Sequence, residues 1–223
     1  METNRFQSPA QYVEWQEKRI AKIEKIFGED YFQNKTILEV GCGYGHIGKH
    51  FRECGAIVEF TEGREEHLPF IKENNPNCAV YNINHNEVWN LHKRYDAVIH
   101  FGLLYHLTNW QQDLACAFKH SDTVILETEI LDSVKEDGHY NARDGGGYDQ
   151  ALNLYEFAVR PSAKFVENVI RQNGFSFTRY DDMDLECTYH SYVWKETGLH
   201  DELGGYFPGS VATRRFWVCK KNV

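Results

Sequence analysis

The sequence predicts an α/β fold, a doubly wound, mostly parallel, seven-stranded sheet with helices on both faces. Short apolar runs alternate with helix-length segments between about residues 36 and 128, and a glycine-rich turn follows the first run. Strands separated by helices favour right-handed crossovers, which place parallel strands side by side. No repeat or linker divides the chain, and 223 residues are enough to bury one core. We therefore expect a single domain over 1–223.

The composition narrows the classes of function. The chain is 42% hydrophobic, and 24 Lys+Arg against 33 Asp+Glu give a net charge of −9. This charge argues against nucleic acid or an anionic membrane as a partner, because basic residues occur only in short pairs such as Lys18/Arg19 and Arg214/Arg215. No apolar run reaches the roughly 20 residues that a membrane span needs. Six cysteines without a CxxC pair and no signal-peptide pattern favour a cytoplasmic location, reduced thiols and no metal site.

The elements follow in order from the N-terminus. Segment 8–28 predicts an amphipathic helix, because Ser8 and Pro9 suit a helix start, apolar residues recur at helical spacing, and Gly28 ends the pattern. The core, 35–130, then alternates between strand-like and helix-like segments. We expect strands at 36–40, 56–61, 78–83, 95–101 and 123–128, and helices at 46–53, 65–74 and 110–119.

The segment 131–150 breaks this alternation. It is polar and contains three consecutive glycines at 145–147, so we interpret it as a mobile insertion. It is a candidate lid, with Arg143, Tyr148 and Asp149 for polar contact with a substrate. A plain surface loop is the alternative interpretation.

The C-terminal part, 151–223, predicts a helix over 162–172 and strands over 175–180 and 215–220. Arg160 is a candidate for binding an anionic acceptor through its guanidinium group, although the Pro-Ser pair after it is also ordinary helix-start chemistry. The turn-rich stretch between the last two strands carries aromatic residues that either wall a substrate pocket or simply pack together: Tyr189, Tyr192, Trp194, Tyr206 and Phe207.

The strongest local signal is EVGCGYG at a strand-to-helix junction. Its three glycines permit a tight turn and let a ligand approach the bare backbone: Gly41, Gly43 and Gly45. His46 stands where a dinucleotide site has its third glycine, and the carboxylate of Glu39 would repel phosphates. Glu62, followed by Gly63, ends the second strand, where a carboxylate can accept hydrogen bonds from both ribose hydroxyls. A nucleoside with a positive centre and no phosphates is favoured.

The motifs ILEVGCGYGHIGKHF, GAIVEFTEG and YDAVIHFGLLYHL resemble, in this order, those of class I S-adenosylmethionine-dependent methyltransferases, in particular small-molecule and sugar O-methyltransferases. The resemblance covers about 35–126. It implies a Rossmann-like fold and S-adenosylmethionine as cofactor, with Glu39 and the glycine turn at its methionine part and Glu62 at its ribose. Where the family has an acid for the adenine, this chain has YNINHN, so the candidates are Asn82 and Asn84. His100 is a further cofactor-binding candidate or a core histidine.

The sequence indicates the residues that would bind the methyl acceptor less clearly. No (D/N)PP(Y/F) motif follows the fourth strand, which argues against methylation of base or amide nitrogens. The segment HFGLLYHL resembles the matching region of small-molecule O-methyltransferases, in some of which a histidine is the general base. His106 is the corresponding candidate, with Tyr105 beside it, unless it packs under the following helix. Glu127, with Glu129, is a candidate for orienting a hydroxyl or amine, or is a solvated strand end.

The sequence thus predicts transfer of a methyl group to a small-molecule acceptor, most readily a hydroxyl of a sugar or another biosynthetic intermediate. Three alternatives stay open at this point. They are methylation of tRNA or another substrate, a nicotinamide-dependent oxidoreductase on the same fold, and a non-catalytic module that binds a nucleoside. The oxidoreductase is disfavoured by the GxGxG spacing and by Glu39.

Overall fold

The computed structural model describes residues 10–143, 157–180, 183–187, 190–193, 196–204 and 212–223. Short 3₁₀ helices lie at Glu65–His67, Leu104–His106 and Met183–Leu185. The helices are α1 (Ala10–Phe27), α2 (His46–Glu53), α3 (Leu68–Asn74), α4 (Trp110–His120), α5 (Ala163–Gln172) and α6 (Leu199–Glu202). The strands are β1 (Thr36–Val40), β2 (Ile57–Glu62), β3 (Val80–Asn82), β4 (Ala97–Phe101), β5 (Thr123–Leu131), β6 (His139–Arg143), β7 (Phe157–Pro161), β8 (Phe175–Tyr180) and β9 (Ala212–Lys221).

Seven strands form one sheet in the order β3-β2-β1-β4-β5-β9-β8. Strands β1 to β5 run parallel, and β9 lies antiparallel between β5 and β8. The predicted seven-stranded, mostly parallel sheet is confirmed. The chain order reverses between β1 and β4, which pair in parallel with Ile37 opposite Ala97. A reversal of this kind leaves a crevice beyond the carboxyl ends of the strands, where ligands bind in open α/β sheets.

Helices cover both faces of the sheet, as predicted. Leu38, Val98 and Leu126 pack with residues of α4 and α5 in one buried cluster. Their neighbours Ile37, Ile99 and the others that point to the opposite face pack with residues of α1, α2 and α3 in a second cluster. Burial on both faces explains why these strands are almost continuously apolar in the sequence.

The described part of the segment 131–150 contains strand residues that the sequence pattern did not predict. Strand β5 continues to Leu131, three residues beyond the predicted end, because it stays paired with β9 along its whole length. Residues His139–Arg143 then form β6, which pairs antiparallel with β7 in a separate two-stranded sheet. The polar side chains of β6 conceal its strand character from a hydropathy pattern. The glycines at 145–147 lie outside the described residues.

Several smaller predictions can be compared with the structure. Ser162 caps α5 by accepting a hydrogen bond from the backbone N–H of Phe165 at 3.1 Å. Ser8, Pro9 and most of the aromatic residues of 181–209 lie outside the described residues, whereas Tyr192 is fully buried. None of the six cysteines forms a disulfide. In the described part of the chain, no helix has the length and apolar character of a bilayer span.

Candidate active site

A cavity of about 240 Å³ lies at the carboxyl ends of the central strands. Its walls come from the turn after β1, the end of β2, the segment after β3 and the turn after β4. Helix α1, the end of β5, residue His190 and strand β9 complete the walls. Among the predicted site residues, seven border this cavity: Gly41, Gly43, Glu62, Gly63, Tyr105, His106 and, beside them, Glu129. The cavity occupies the crevice that the reversal of strand order between β1 and β4 creates.

The glycine turn forms one wall of the cavity with its bare backbone. Gly41, Gly43 and Gly45 have φ angles of +59°, +60° and +71°, a region that residues with a side chain rarely adopt. A Cβ on Gly41 would lie 2.7 Å from Leu103 Cδ2 in the turn after β4. Strand β2 holds this turn, because Thr61 accepts hydrogen bonds from Gly41 N–H through its hydroxyl at 3.2 Å and from Cys42 N–H through its carbonyl at 3.0 Å.

Glu62 faces this turn from the end of β2. Its carboxylate accepts a hydrogen bond from the backbone N–H of Gly43 at 2.7 Å and from that of Arg64 at 3.0 Å. The side chain is 7% exposed and both Glu62 and Gly63 border the cavity. Two predicted cofactor-binding elements, the glycine turn and this acid, therefore lie in direct contact.

Glu39 lies beneath the turn and is buried. Its carboxyl group accepts a hydrogen bond from the backbone N–H of Gly48, in the first turn of α2, at 2.8 Å. Burial raises the pKa of Glu39 to about 8, although the Gly48 hydrogen bond and Arg19 act in the opposite direction. Glu39 does not border the cavity in this structure. Its carboxyl is thus placed to stabilise α2 and, when ionised, to add negative charge under the turn.

The amide nitrogens of Asn82 and Asn84, the adenine candidates, donate hydrogen bonds within the protein. Asn82 Nδ2 donates to the carbonyl oxygens of Glu62 and Gly63 at 3.1 and 2.9 Å. Asn84 Nδ2 donates to Glu87, and its Oδ1 accepts from the backbone N–H of Asn86. Neither side chain borders the cavity, and the residue of this segment that does so is His85.

His100 does not reach the cavity. It lies in the middle of the sheet with no exposed surface, and its Nε2 donates to Asp113 Oδ2 at 2.6 Å. The same carboxylate accepts hydrogen bonds from His85 Nδ1 and Trp89 Nε1, both at 2.7 Å. Burial alone would raise the pKa of Asp113, but His85 and His100 hold it well below its usual range. His100 therefore serves the interior of the domain, which agrees with its interpretation as a core histidine.

Tyr105 and His106 also border the cavity. They belong to the short helix after β4, where the backbone N–H of His106 donates to Leu103 at 2.9 Å, and their ring centroids lie 4.0 Å apart. The hydroxyl of Tyr105 accepts a hydrogen bond from Arg214 Nη2 at 2.8 Å. Burial raises the pKa of Tyr105 although Arg214 opposes the shift, so the phenol stays protonated and can donate.

Glu127 has a different environment from the predicted one. It is fully buried within β5, because the strand continues past it, and it does not border the cavity. Its carboxylate accepts hydrogen bonds from Arg19, from Arg214 Nη1 at 3.0 Å and from the Tyr192 hydroxyl at 3.0 Å. Burial would raise the pKa of Glu127, but the two guanidinium groups hold it below its ordinary value. Glu127 thus orients two arginines and is not free to orient a substrate.

Of the three predicted substrate-binding residues, only Arg160 has a described side chain. Its Nε donates to Glu129 Oε1 at 2.5 Å, and Glu129 borders the cavity. The backbone of Arg143 belongs to β6, but its side chain lies outside the described residues. Tyr148 lies outside them entirely, and so does the proposed lid around it.

The part of the cavity wall that α1 and β9 contribute was not predicted from the sequence. Tyr12, Trp15 and Arg19 border the cavity from α1, and Arg214 borders it from β9. Arg19 and Arg214 are each 2% exposed, and the guanidinium carbon of Arg19 lies 3.3 Å from the centroid of a Trp15 ring. One signal was present in the sequence: an arginine on the same face of α1 as the buried aromatic residues.

Comparison with known proteins assigns the chain to a methyltransferase family. A methyltransferase-domain family model matches residues 12–181. The N-terminal domain of EvdMO1 with S-adenosylhomocysteine bound superposes with a TM-score of 0.65 at 18% identity, over 93% of this chain and 81% of that one. The same domain in the presence of S-adenosylhomocysteine and D-fucose gives 0.67 at 17% identity, over 100% and 89%.

A third solved structure shares the fold. Magnesium protoporphyrin IX methyltransferase from Synechocystis PCC 6803, with S-adenosylmethionine bound, superposes with a TM-score of 0.58 at 13% identity, over 94% of this chain and 81% of that one. No curated protein sequence matches the chain. At these identities the solved structures establish a common fold, and the family rests on the model match to about three-quarters of the chain.

Proposed function

This chain belongs to the methyltransferase-domain family, and on that premise we propose that it transfers the methyl group of S-adenosylmethionine to a hydroxyl of a small molecule, such as a sugar. Methyl transfer with S-adenosylmethionine as cofactor is the activity of the enzyme. The observation that carries the choice of acceptor is the cavity itself. The glycine turn, Tyr105 and His106 all border this one cavity, so an acceptor beside Tyr105 and His106 would lie next to a nucleoside at the turn.

The cofactor end fits a nucleoside that carries an amino acid. A Cβ on Gly43 would meet no atom within 4 Å, so the backbone there faces open space that a ligand can fill. Glu62, opposite, is placed to accept hydrogen bonds from ribose hydroxyls in exchange for the Gly43 N–H it now accepts. A sulfonium and an ammonium group bound above the turn would favour ionisation of Glu39, against the burial that raises its pKa to about 8.

The charges at the other side of the cofactor end match a carboxylate. Arg19, Arg160 and Arg214 carry three positive charges, and their partners Glu127 and Glu129 carry two negative ones. Among the described residues, none hydrogen-bonds the buried Nε atoms of Arg19 and Arg214. The methionine carboxylate of the cofactor would suit this group of arginines, and Arg19 Nη2 lies 3.1 Å from the position of a Cβ on Gly102, in the turn after β4.

Tyr105 and His106 border the cavity with a phenol and an imidazole, groups that can hydrogen-bond an uncharged hydroxyl. When bound, S-adenosylmethionine supplies a methyl group on a positively charged sulfur. His106 takes the proton of the acceptor hydroxyl as its oxygen forms the bond to the methyl carbon and the carbon–sulfur electron pair returns to sulfur. Tyr105, held by Arg214, donates a hydrogen bond that orients the acceptor. The D-fucose present with the EvdMO1 domain makes sugars the first acceptors to try.

Calorimetry with S-adenosylhomocysteine tests the cofactor site. Gly43→Val and Gly28→Val are matched variants, because both glycines have positive φ angles and open space around them but only Gly43 borders the cavity. We expect binding to wild type and Gly28→Val and none to Gly43→Val. Equal binding to both variants would place the cofactor elsewhere.

The acceptor is tested with methyl-labelled S-adenosylmethionine and a panel of neutral sugars, together with their carboxylate derivatives and unmodified tRNA. We expect label in a neutral sugar-like product, with mass spectrometry showing the gain of one methyl group on oxygen. Label in tRNA would support the alternative that the net charge of −9 disfavours. Label in the carboxylate derivatives alone would refute the choice of an uncharged acceptor.

A further inference from the structure

One cavity-lining side chain has no part in the chemistry described above. His85 comes from the segment after β3 and is 3% exposed, and it borders the cavity close to the glycine turn. Its two ring nitrogens are both engaged. Nδ1 lies 2.7 Å from Asp113 Oδ1 on α4, and Nε2 lies 3.0 Å from the hydroxyl of Thr61 on β2. The imidazole therefore connects a buried carboxylate to the residue that holds the turn.

The charge of Asp113 fixes the direction of these hydrogen bonds. An ionised carboxylate only accepts, so the nitrogens that face it from His85, His100 and Trp89 all donate. With Nδ1 of His85 donating to Asp113, the other ring nitrogen, Nε2, is left to hydrogen-bond the hydroxyl of Thr61. The oxygen of Thr61 then keeps a free lone pair for the N–H of Gly41, 3.2 Å away.

Asp113 has the surroundings that such a role requires. It lies in the first turn of α4, where the helix dipole favours a negative charge, and it has no exposed surface. Three donors replace the water that the carboxylate loses on burial. The chain of hydrogen bonds from Asp113 through His85 and Thr61 to Gly41 is thus complete, with one donor and one acceptor at every step.

We propose that His85 is a positioning residue of the cofactor site, which orients the Thr61 hydroxyl so that Gly41 N–H and the glycine turn are held in the conformation that binds S-adenosylmethionine. The proposal rests on the proposed cofactor site. The sequence predicts an adenine contact for the segment after β3, whereas the proposal gives this segment a part in shaping the glycine turn. The segment shapes the backbone of the turn through a side chain, while the amides of Asn82 and Asn84 hold the neighbouring loop.

A double-mutant cycle tests whether His85 acts through Thr61. Thr61→Val preserves the shape of the side chain and removes the hydroxyl, and His85→Gln removes the imidazole. Because each change leaves a buried hydrogen-bonding group without its partner, we expect each to weaken S-adenosylhomocysteine binding by about tenfold or more. The double variant should be no weaker than the weaker single variant by more than about twofold. Thr61→Ser should bind like wild type.

His120→Gln is the matched control, because His120 is also buried and hydrogen-bonded through both nitrogens but does not border the cavity. It should lower the thermal stability of the protein without changing the Kd for S-adenosylhomocysteine. In assays with an acceptor, His85→Gln should raise the KM for S-adenosylmethionine and leave kcat nearly unchanged. Multiplicative losses in the cycle would show that His85 and Thr61 act independently and would refute the proposal.

Nitrogen-15 NMR of the ligand-free protein gives a readout that needs no cofactor. The Nδ1 of His85 should be protonated, because this nitrogen faces the Asp113 carboxylate. A ring protonated on Nε2 alone would point a bare nitrogen at that carboxylate and would overturn the proposal even if His85→Gln fails to fold. If wild-type protein binds no S-adenosylhomocysteine while His85 is protonated on Nδ1, the proposed cofactor site fails and not the hydrogen-bond chain.

Discussion

Replacing Glu127 by glutamine tests whether this residue is a structural counterion. The change removes one negative charge from a site where Arg19 and Arg214 are each 2% exposed, while the amide keeps an acceptor for the Tyr192 hydroxyl. Removing one partner of a buried ion pair costs about 3–5 kcal/mol. We expect about 3 kcal/mol, because both arginines border the cavity and water can reach them. For a domain of this size the melting temperature should fall by roughly 6–12 °C.

The measurement is the free energy of unfolding by chemical denaturation, with Glu129→Gln as the control. Glu129 also pairs with an arginine, but its side chain is 18% exposed, so its loss should cost no more than about 1 kcal/mol. The folded-state pKa of Glu127 lies below its ordinary 4.5, so its contribution is present above that pH and is lost as the pH falls through the folded-state value. The difference between wild type and Glu127→Gln should therefore shrink only in acid. A loss below about 1 kcal/mol at neutral pH would refute this reasoning.

Three further changes separate the other acids and the base. Glu39→Gln preserves the acceptor for Gly48 N–H. Because the pKa of Glu39 is raised to about 8, the variant should gain roughly 4 kcal/mol of stability relative to wild type as the pH rises from 5 to 9, and a constant difference in melting temperature over this range would contradict this. Glu62→Ala should weaken S-adenosylhomocysteine binding by about 1–3 kcal/mol in calorimetry, and unchanged affinity would place the ribose elsewhere. His106→Ala should lower turnover by roughly two to four orders of magnitude with unchanged cofactor affinity, and retained turnover would leave it a structural residue.

The part of the fold that the sequence predicts well depends on local patterns. The bounds of β1 and α2 agree with the structure, because a short apolar run, a glycine turn and an amphipathic segment follow one another directly. The glycine turn and Glu62 lie in contact as expected, because adjacent parallel strands bring their carboxyl ends together. Each of these features can be predicted from the neighbouring residues and the strand order alone.

The features that the sequence did not predict depend on distant partners. In the sequence, Glu127 has the position of a strand-end acid. In the fold, β9 pairs with β5 and places Arg214 beside Glu127, although the two residues are 87 positions apart in the chain. Strand β6 is polar, and its identity as a strand depends on pairing with β7 across residues 144–156. Asn82 and Asn84 have the correct residue type for an adenine contact, but which hydrogen bonds they make depends on the turn after β2 and on Glu87.

The cavity wall depends on both local and distant contacts. The cofactor end is built at consecutive strand-to-helix junctions of the first half of the sheet. The rest of the cavity wall combines the turn after β4 with α1, the end of β5 and β9, whose positions depend on contacts such as that of Trp15 Nε1 with the Tyr192 hydroxyl at 2.7 Å. Substitutions in α1 or near Tyr192 can therefore reshape this wall while the glycine turn, held by Thr61, keeps its conformation. The shape of the proposed acceptor site consequently depends on tertiary contacts that no local motif in the sequence indicates.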